Sequence, residues 1–399
     1  MIPEVQIAPH LHGKKIVIYS TCQDDWGGSE ELWSRSIPYL NKGGKEVFVF
    51  KEKINESHPA FLRLKNDYHV HLKEVRPGYT QRIRSRIGRL LSPAQRTSHR
   101  RIPENLATEN FFRALKKVRP ELAIISQAIN FDGLIFALQC LKLNIPYVII
   151  SHKAVDFYWP DYRDRDYMTL VWKKALQCFF VSRHNLRLTE QQFGFSLSNS
   201  QVVINPMKVS LTPVKYPSTS DGFRLACVGR LFLLDKGQDI LLRILALDKW
   251  RKRPLEVTFI GAGVDYAGLT ALKDYLQLNQ VRFAGYREAG QIWSHYHGLI
   301  LPSRSEGMPL VIMEAMAAGR MAIVTRAGGN AELVEDEVTG FTSEVNERDF
   351  DQAMERAWCR RADWEDIGLK ASRSIRRMVP GVPEEEFVQN LNTLLYGTH

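Results

Sequence analysis

The chain has 399 residues, of which 44% are hydrophobic and 25% charged; that is the balance of a folded globular protein and excludes disorder, collagen-like repeats and coiled coil. The net charge is +10 and unevenly placed, with 31 Lys and Arg against 19 Asp and Glu in residues 1–210 and 23 against 25 beyond, so an anionic partner is expected for the first half. No apolar run approaches the roughly 18 residues that crossing a bilayer takes.

At the N-terminus, Glu4 stands where a signal peptide would need its apolar core, so none is expected. Short apolar runs then alternate with helix-like stretches: KKIVIYS at 14–20, KEVFVF at 45–50, ELAIISQ at 121–127, PYVIISH at 146–152, QCFFVS at 177–182 and QVVIN at 201–205. Unbroken apolar strands of this kind indicate a parallel sheet with helices on both faces. Behind the first run lies Asp25-Trp26-Gly27-Gly28-Ser29-Glu30, whose glycines let a backbone approach a ligand at a helix start, where anions are favoured. Between the second and third, Tyr79–Leu91 carries Arg82, Arg84, Arg86 and Arg89 around Ile83, Ile87, Leu90 and Leu91. That spacing predicts a basic amphipathic helix, suited either to an anionic membrane surface or to packing on its own domain, and Arg96, Arg100 and Arg101 continue the basic segment. His152 closes the fourth run and Ser182 the fifth.

Residues 209–221 (VSLTPVKYPSTSD) are rich in Pro, Ser and Thr without periodicity and mark a domain break. A second series of runs follows at 223–230, 255–263, 280–285, 298–303, 321–325 and 339–345, which predicts a second doubly wound domain. We therefore expect domains over 1–208 and 209–378, with 379–399 forming a helix that crosses back to the first. Ligands of such domains sit outside the carboxyl ends of the strands, here in a cleft between the two.

The stretch Pro302–Gly319 (PSRSEGMPLVIMEAMAAG) holds the most chemistry. Gly307 frees a turn, Pro309 suits the first residue of a helix, and the amides of Met308 and Leu310 would form an anion site at its start. Glu306 stands at the mouth. Glu314 lies among Ile312, Met313, Ala315 and Met316, where an unpaired carboxylate is costly enough to need a task. Each carboxylate can accept two hydroxyls, as a ribose and a hexose offer. Arg230 and Lys236, behind the first strand of the second domain, can stabilise the charge of a departing diphosphate.

Glu306 and Glu314, with seven residues between them and flanked by LPSR and AAGR, resemble the donor-site signature of retaining glycosyltransferases of family 4, which have the GT-B fold. Val228-Gly229-Arg230 with Asp235-Lys236-Gly237 resembles the family's diphosphate clamp. Phe259–Gly263, with Gly261 and Gly263, and Phe283–Tyr286 resemble its nucleobase loops. The resemblance is close over about 225–345. It implies a GT-B fold, α/β, with two Rossmann-like doubly wound parallel-sheet domains, the first binding acceptor and the second nucleotide sugar. It implies an enzyme that moves a hexose from a nucleoside-diphosphate sugar to a saccharide or lipid-linked acceptor with retention, in polysaccharide or glycolipid biosynthesis. Catalytic roles then fall on Arg230, Lys236, Glu306 and His152, and donor binding on Glu314, Gly307, Met308, Pro309, Leu310, Gly261, Gly263 and Tyr286. Gly27, Gly28, Ser29 and Glu30 become an acceptor and diphosphate loop. No metal or other cofactor is expected, nor a nucleic-acid partner. Five cysteines without metal or redox spacing suit a reducing compartment, so the expected location is cytoplasmic, extending to peripheral contact with the inner face of a membrane through Arg82, Arg84, Arg86 and Arg89. Two rival readings are a metal-dependent GT-A transferase using Asp164 and Asp166, and a non-catalytic nucleic-acid-binding protein using the Arg82–Arg101 segment.

Overall fold

In a computed structural model, residues 15–75, 106–379 and 381–397 are described. The basic segment with Arg82, Arg84, Arg86 and Arg89, and with Arg96, Arg100 and Arg101, lies outside them.

Each apolar run becomes a strand. The first sheet orders its seven strands β3-β2-β1-β4-β5-β6-β7, and the second its six as β10-β9-β8-β11-β12-β13. All pairs are parallel. In the first sheet these are β1 (Lys15–Ser20), β2 (Glu46–Lys51), β3 (His71–Glu74), β4 (Leu122–Gln127), β5 (Tyr147–Ser151), β6 (Gln177–Phe180) and β7 (Ser200–Val202). The second holds β8 (Phe223–Val228), β9 (Leu255–Ile260), β10 (Val281–Phe283), β11 (Gly298–Leu301), β12 (Met321–Thr325) and β13 (Gly340–Ser343). Every residue of β4, β5, β11, β12 and β13 is buried, which is why these strands read as continuous apolar runs rather than alternating ones. The expected pair of doubly wound domains is present. One strand has no counterpart in the reading above: β3 is HLKE, mostly exposed at the sheet edge, where charged residues guard an unpaired rim.

In both sheets the strand order reverses beside the first strand, between β1 and β4 and between β8 and β11. Loops at such a switch point splay apart and leave a crevice. The loops behind β1, β8 and β11 carry Asp24–Glu30, Gly229–Lys236 and Pro302–Pro309.

One device fixes the linker on the second domain and another ties the two halves together. Arg320, buried in the second domain, donates to the carbonyls of Val214 and Lys215 in the linker and of Trp293, Tyr296 and Ala318, beneath the Tyr216 ring. The chain's last helix, Pro383–Tyr396, returns to the first sheet: Phe387, Val388 and Leu391 join the core of Leu32, Ile37 and Phe179, with the Phe387 and Phe179 rings edge to face at 5.0 Å. Tyr396 Oη donates to Glu121 at 2.7 Å and fixes the helix end. Among the described residues no helix is long and apolar enough to cross a membrane.

Candidate active site at the domain boundary

Glu306 lies midway along the loop behind β11 and is buried. Its carboxylate accepts two bonds from Lys236 Nζ, at 2.6 and 2.8 Å, and a third from Ser303 Oγ at 2.6 Å. Lys236 closes a single helical turn, Leu233–Lys236, behind β8. From the same loop Arg230, half-exposed, donates to Asp235 at 3.3 Å and to Asp24 of the first domain at 2.8 Å. The residue after His152, Lys153, reaches back from the first domain to Asp235 at 2.6 Å. Burial pulls the Lys153 ammonium below its ordinary pKa, against the opposing effect of the hydrogen bond it donates to Asp235. Arg230, Lys236 and Glu306 thus converge with Asp24, Lys153 and Asp235, three cations among three carboxylates, at the boundary between domains. Asp24 and Lys153 were not foreseen. Lone charged residues carry no sequence signal, and only the approach of the domains brings them into the group.

That approach is close. A Cβ on Gly307 would lie 1.8 Å from the His152 carbonyl oxygen, and one on Gly329 would lie 3.0 Å from Ser182 Cβ. Glu332 of the second domain accepts from the amides of Arg183 and His184 at 3.0 and 2.7 Å, capping the first-domain helix Arg183–Phe193 from outside. Ser182 is that helix's own cap, accepting from the Asn185 amide at 3.1 Å, which gives it a structural task.

His152 is buried, and burial lowers its pKa to about 3, so the ring is neutral at physiological pH. Its Nε2 lies 3.1 Å from Ser126 Oγ, while Nδ1 is buried without a partner.

Pro309 takes the position before the helix rather than its first residue: its ψ of 115° is extended, and the helix runs Leu310–Ala317. The side chain of Leu310 meets the first-domain loop, 3.7 Å from where a Cβ of Gly28 would stand. Glu314 is buried one turn further along, and burial raises its pKa to about 7, with Lys208 at the end of the first domain opposing and Glu31 of the same domain reinforcing the shift. It therefore sits apart from the Lys236–Glu306 pair, against the end of the first domain and its helix Glu31–Lys42.

Gly261 and Gly263 allow the loops behind β8 and β9 to touch; a Cβ on either would stand 2.1 or 2.2 Å from the carbonyl oxygens of Gly229 and Leu231. Tyr286 is exposed beside this loop pair. In the first domain, Gly27, Gly28 and Ser29 line the turn behind β1. Glu30 departs from the expectation. It is fully buried, paired with Lys51, and accepts from Ser20 Oγ at 2.8 Å and Trp33 Nε1 at 2.5 Å. Its carboxylate faces the domain interior and supports the loop instead of meeting a ligand, since an unpaired Lys51 there would be costly.

Asp164 precedes the helix Arg165–Lys174 and Asp166 lies in its first turn. Among the described residues no three His, Cys, Asp or Glu side chains gather into a group that could hold a metal ion.

Residues 222–360 match the family described as glycosyl transferases group 1. An uncharacterized glycosyltransferase of Haemophilus influenzae is 28% identical over 60% of this chain and 68% of its own length, and one of Methanocaldococcus jannaschii is 30% identical over 54% and 59%. In the second comparison the chain spans less than two thirds of its relative. The crystal structure of Anabaena HepE in complex with UDP-glucose superposes with a TM-score of 0.72 over 95% of this chain and 99% of that one, at 18% identity. A GT-A architecture is thereby excluded for this chain. Its two domains form the GT-B fold, and within the second of them residues 222–360 match the glycosyl transferases group 1 family.

Proposed function

We propose that this protein transfers a hexose from a nucleoside-diphosphate sugar to a saccharide or lipid-linked acceptor, with retention and without a metal, as a family 4 enzyme of polysaccharide or glycolipid synthesis. The observation that carries the reading is the meeting of Arg230, Lys236 and Glu306 at the domain boundary, within the residues that match the glycosyl transferases group 1 family. Arg230 and Lys236 bind the diphosphate and stabilise the charge it gains as the glycosidic bond breaks. Glu306 and the turn at 307–310 hold the sugar, Glu314 the ribose, and the loops at Gly261, Gly263 and Tyr286 the base. His152, neutral, is a hydrogen-bonding group beside the sugar and not a general base at neutral pH, so the chemistry rests on positioning and charge stabilisation. Gly27, Gly28 and Ser29 face the acceptor and the diphosphate. Five free cysteines favour a cytoplasmic site of action, and contact with the inner membrane face is proposed through Arg82, Arg84, Arg86 and Arg89.

Thermal-shift measurements with UDP-, GDP-, ADP- and dTDP-sugars test this reading. One nucleotide sugar should raise Tm with EDTA present, and no shift with any of them would refute it. Glu314→Ala should weaken that donor's binding, while Lys236→Ala should lower turnover by roughly 10²–10³-fold with smaller changes in binding. Wild-type kinetics in both variants would refute the assignment of roles.

A further inference from the structure

The loop that follows His152 exposes four aromatic rings: Phe157 is 72% exposed, Tyr158 55%, Trp159 58% and Tyr162 82%. Contiguous exposed aromatics are uncommon on a soluble surface and mark a binding site. The loop is rigidly built. The buried Asn130 and Gln192 side-chain amides donate to the Tyr158 carbonyl at 3.3 and 3.2 Å, and Gln192 also holds the Val155 carbonyl at 2.8 Å. Tyr158 stacks on the buried Phe131, with ring centroids 6.0 Å apart and 14° between planes. The Trp159 indole N–H is spent on the Asp156 carbonyl at 2.9 Å, which fixes the ring. The loop backbone and the Tyr158 and Trp159 rings are therefore held in place, and the Arg163 guanidinium stands 5.6 Å over the Tyr162 ring, so little ordering of these groups remains when a ligand arrives.

Its place and its charge identify the ligand. Asp156 lies three residues beyond Lys153, whose ammonium reaches Asp235 in the donor site, so the aromatic loop continues directly from the reacting centre along the carboxyl rim of the first sheet. Residues 153–166 hold four Asp against one Lys and two Arg, and Arg163 is already engaged by Asp161 at 2.9 Å. That balance offers nothing to an anionic membrane or to nucleic acid. A pyranose chair with equatorial hydroxyls, by contrast, shows a face of axial C–H bonds that the negative face of an aromatic ring attracts, while its hydroxyls donate to a nearby carboxylate such as Asp156.

We propose that Phe157, Trp159 and Tyr162 form the acceptor platform of this enzyme, a stacking surface for a saccharide with flat pyranose faces. The proposal rests on the transferase reading above and names its acceptor class. The platform receives the sugar chain and directs its terminal hydroxyl toward the sugar held at Glu306.

Isothermal titration of the intact chain with cellohexaose, chitohexaose, mannohexaose and maltohexaose tests it. At least one oligosaccharide should bind, and Trp159→Ala and Tyr162→Ala should each weaken it roughly tenfold, the loss of about one stacked ring. UDP thermal shifts, run alongside, separate the two readings, because a failed nucleotide screen with intact oligosaccharide binding would overturn the donor assignment and leave the platform standing. Binding by none of the four, or binding unaltered in both variants, overturns the platform. So does Trp159-dependent partition into phosphatidylcholine–phosphatidylglycerol vesicles without saccharide binding, which would make the loop a membrane contact.

Discussion

Glu306 and Lys236 both stand out in the sequence as site residues, and the structure adds that they are partners, with Lys236 Nζ donating to both carboxylate oxygens of Glu306. Glu314 is a different kind of residue. Burial holds its folded pKa at about 7, above the ordinary 4.5, so the folded protein keeps a proton that the unfolded chain releases between those values. The stability this group contributes is full below about pH 4.5 and is lost as pH rises through about 7, a swing on the order of 3 kcal/mol. Glu314→Gln removes the titration. Its Tm in calorimetry should exceed the wild type's at about pH 8, and the two should converge near pH 4.5. His152 has the opposite sign, because its folded pKa of about 3 lies below the ordinary 6.5, so its contribution is lost as pH falls through that window. The residue types behind these effects were legible in the chain. Their protonation was not, because it depends on burial that arises only when the elements pack.

At the scale of elements, twelve of the thirteen strands follow from apolar runs, since a strand covered on both faces has to be apolar along its whole length. Edge strand β3 escaped because His71, Lys73 and Glu74 face outward and leave only Leu72 as a signal. Loops were legible as turns but not as neighbours. Gly307 is a plausible turn residue in sequence, yet its requirement is set by the His152 carbonyl, 1.8 Å from where a methyl would stand. Gly307→Ala should push the loop behind β11 away from the end of β5 and, because displacement by about 1 Å can cost some 10²-fold, lower kcat by about that factor with nucleotide binding much less affected. Single-turnover kinetics beside nucleotide titration would check both halves of that expectation.

Across the whole molecule the two domains meet through paired charges, Asp24 with Arg230 and Lys153 with Asp235, and through the Glu332 cap on the Arg183–Phe193 helix. Small polar contacts of this kind favour a closed arrangement only modestly and leave domain motion available. Lys153→Met combined with Glu332→Gln should shift the population toward an open form, seen as a larger radius of gyration in solution scattering without nucleotide, while the circular dichroism spectrum stays native. An unchanged radius would show that other contacts hold the closure. The helix Pro383–Tyr396 works over the same range. Phe387→Ala should destabilise the first domain by roughly 3–5 kcal/mol, measured by denaturant unfolding.

By itself the chain determined the two parallel sheets, because burial on both strand faces imposes a pattern that runs along a sequence, and it singled out Arg230, Lys236 and Glu306 as candidates. Only the tertiary structure decided that Asp24 and Lys153 enter the site, that Glu30 turns inward to Lys51, and that the rings behind His152 remain exposed. Those outcomes depend on which loops the two sheets bring face to face, and contacts between residues hundreds of positions apart leave no periodicity to read.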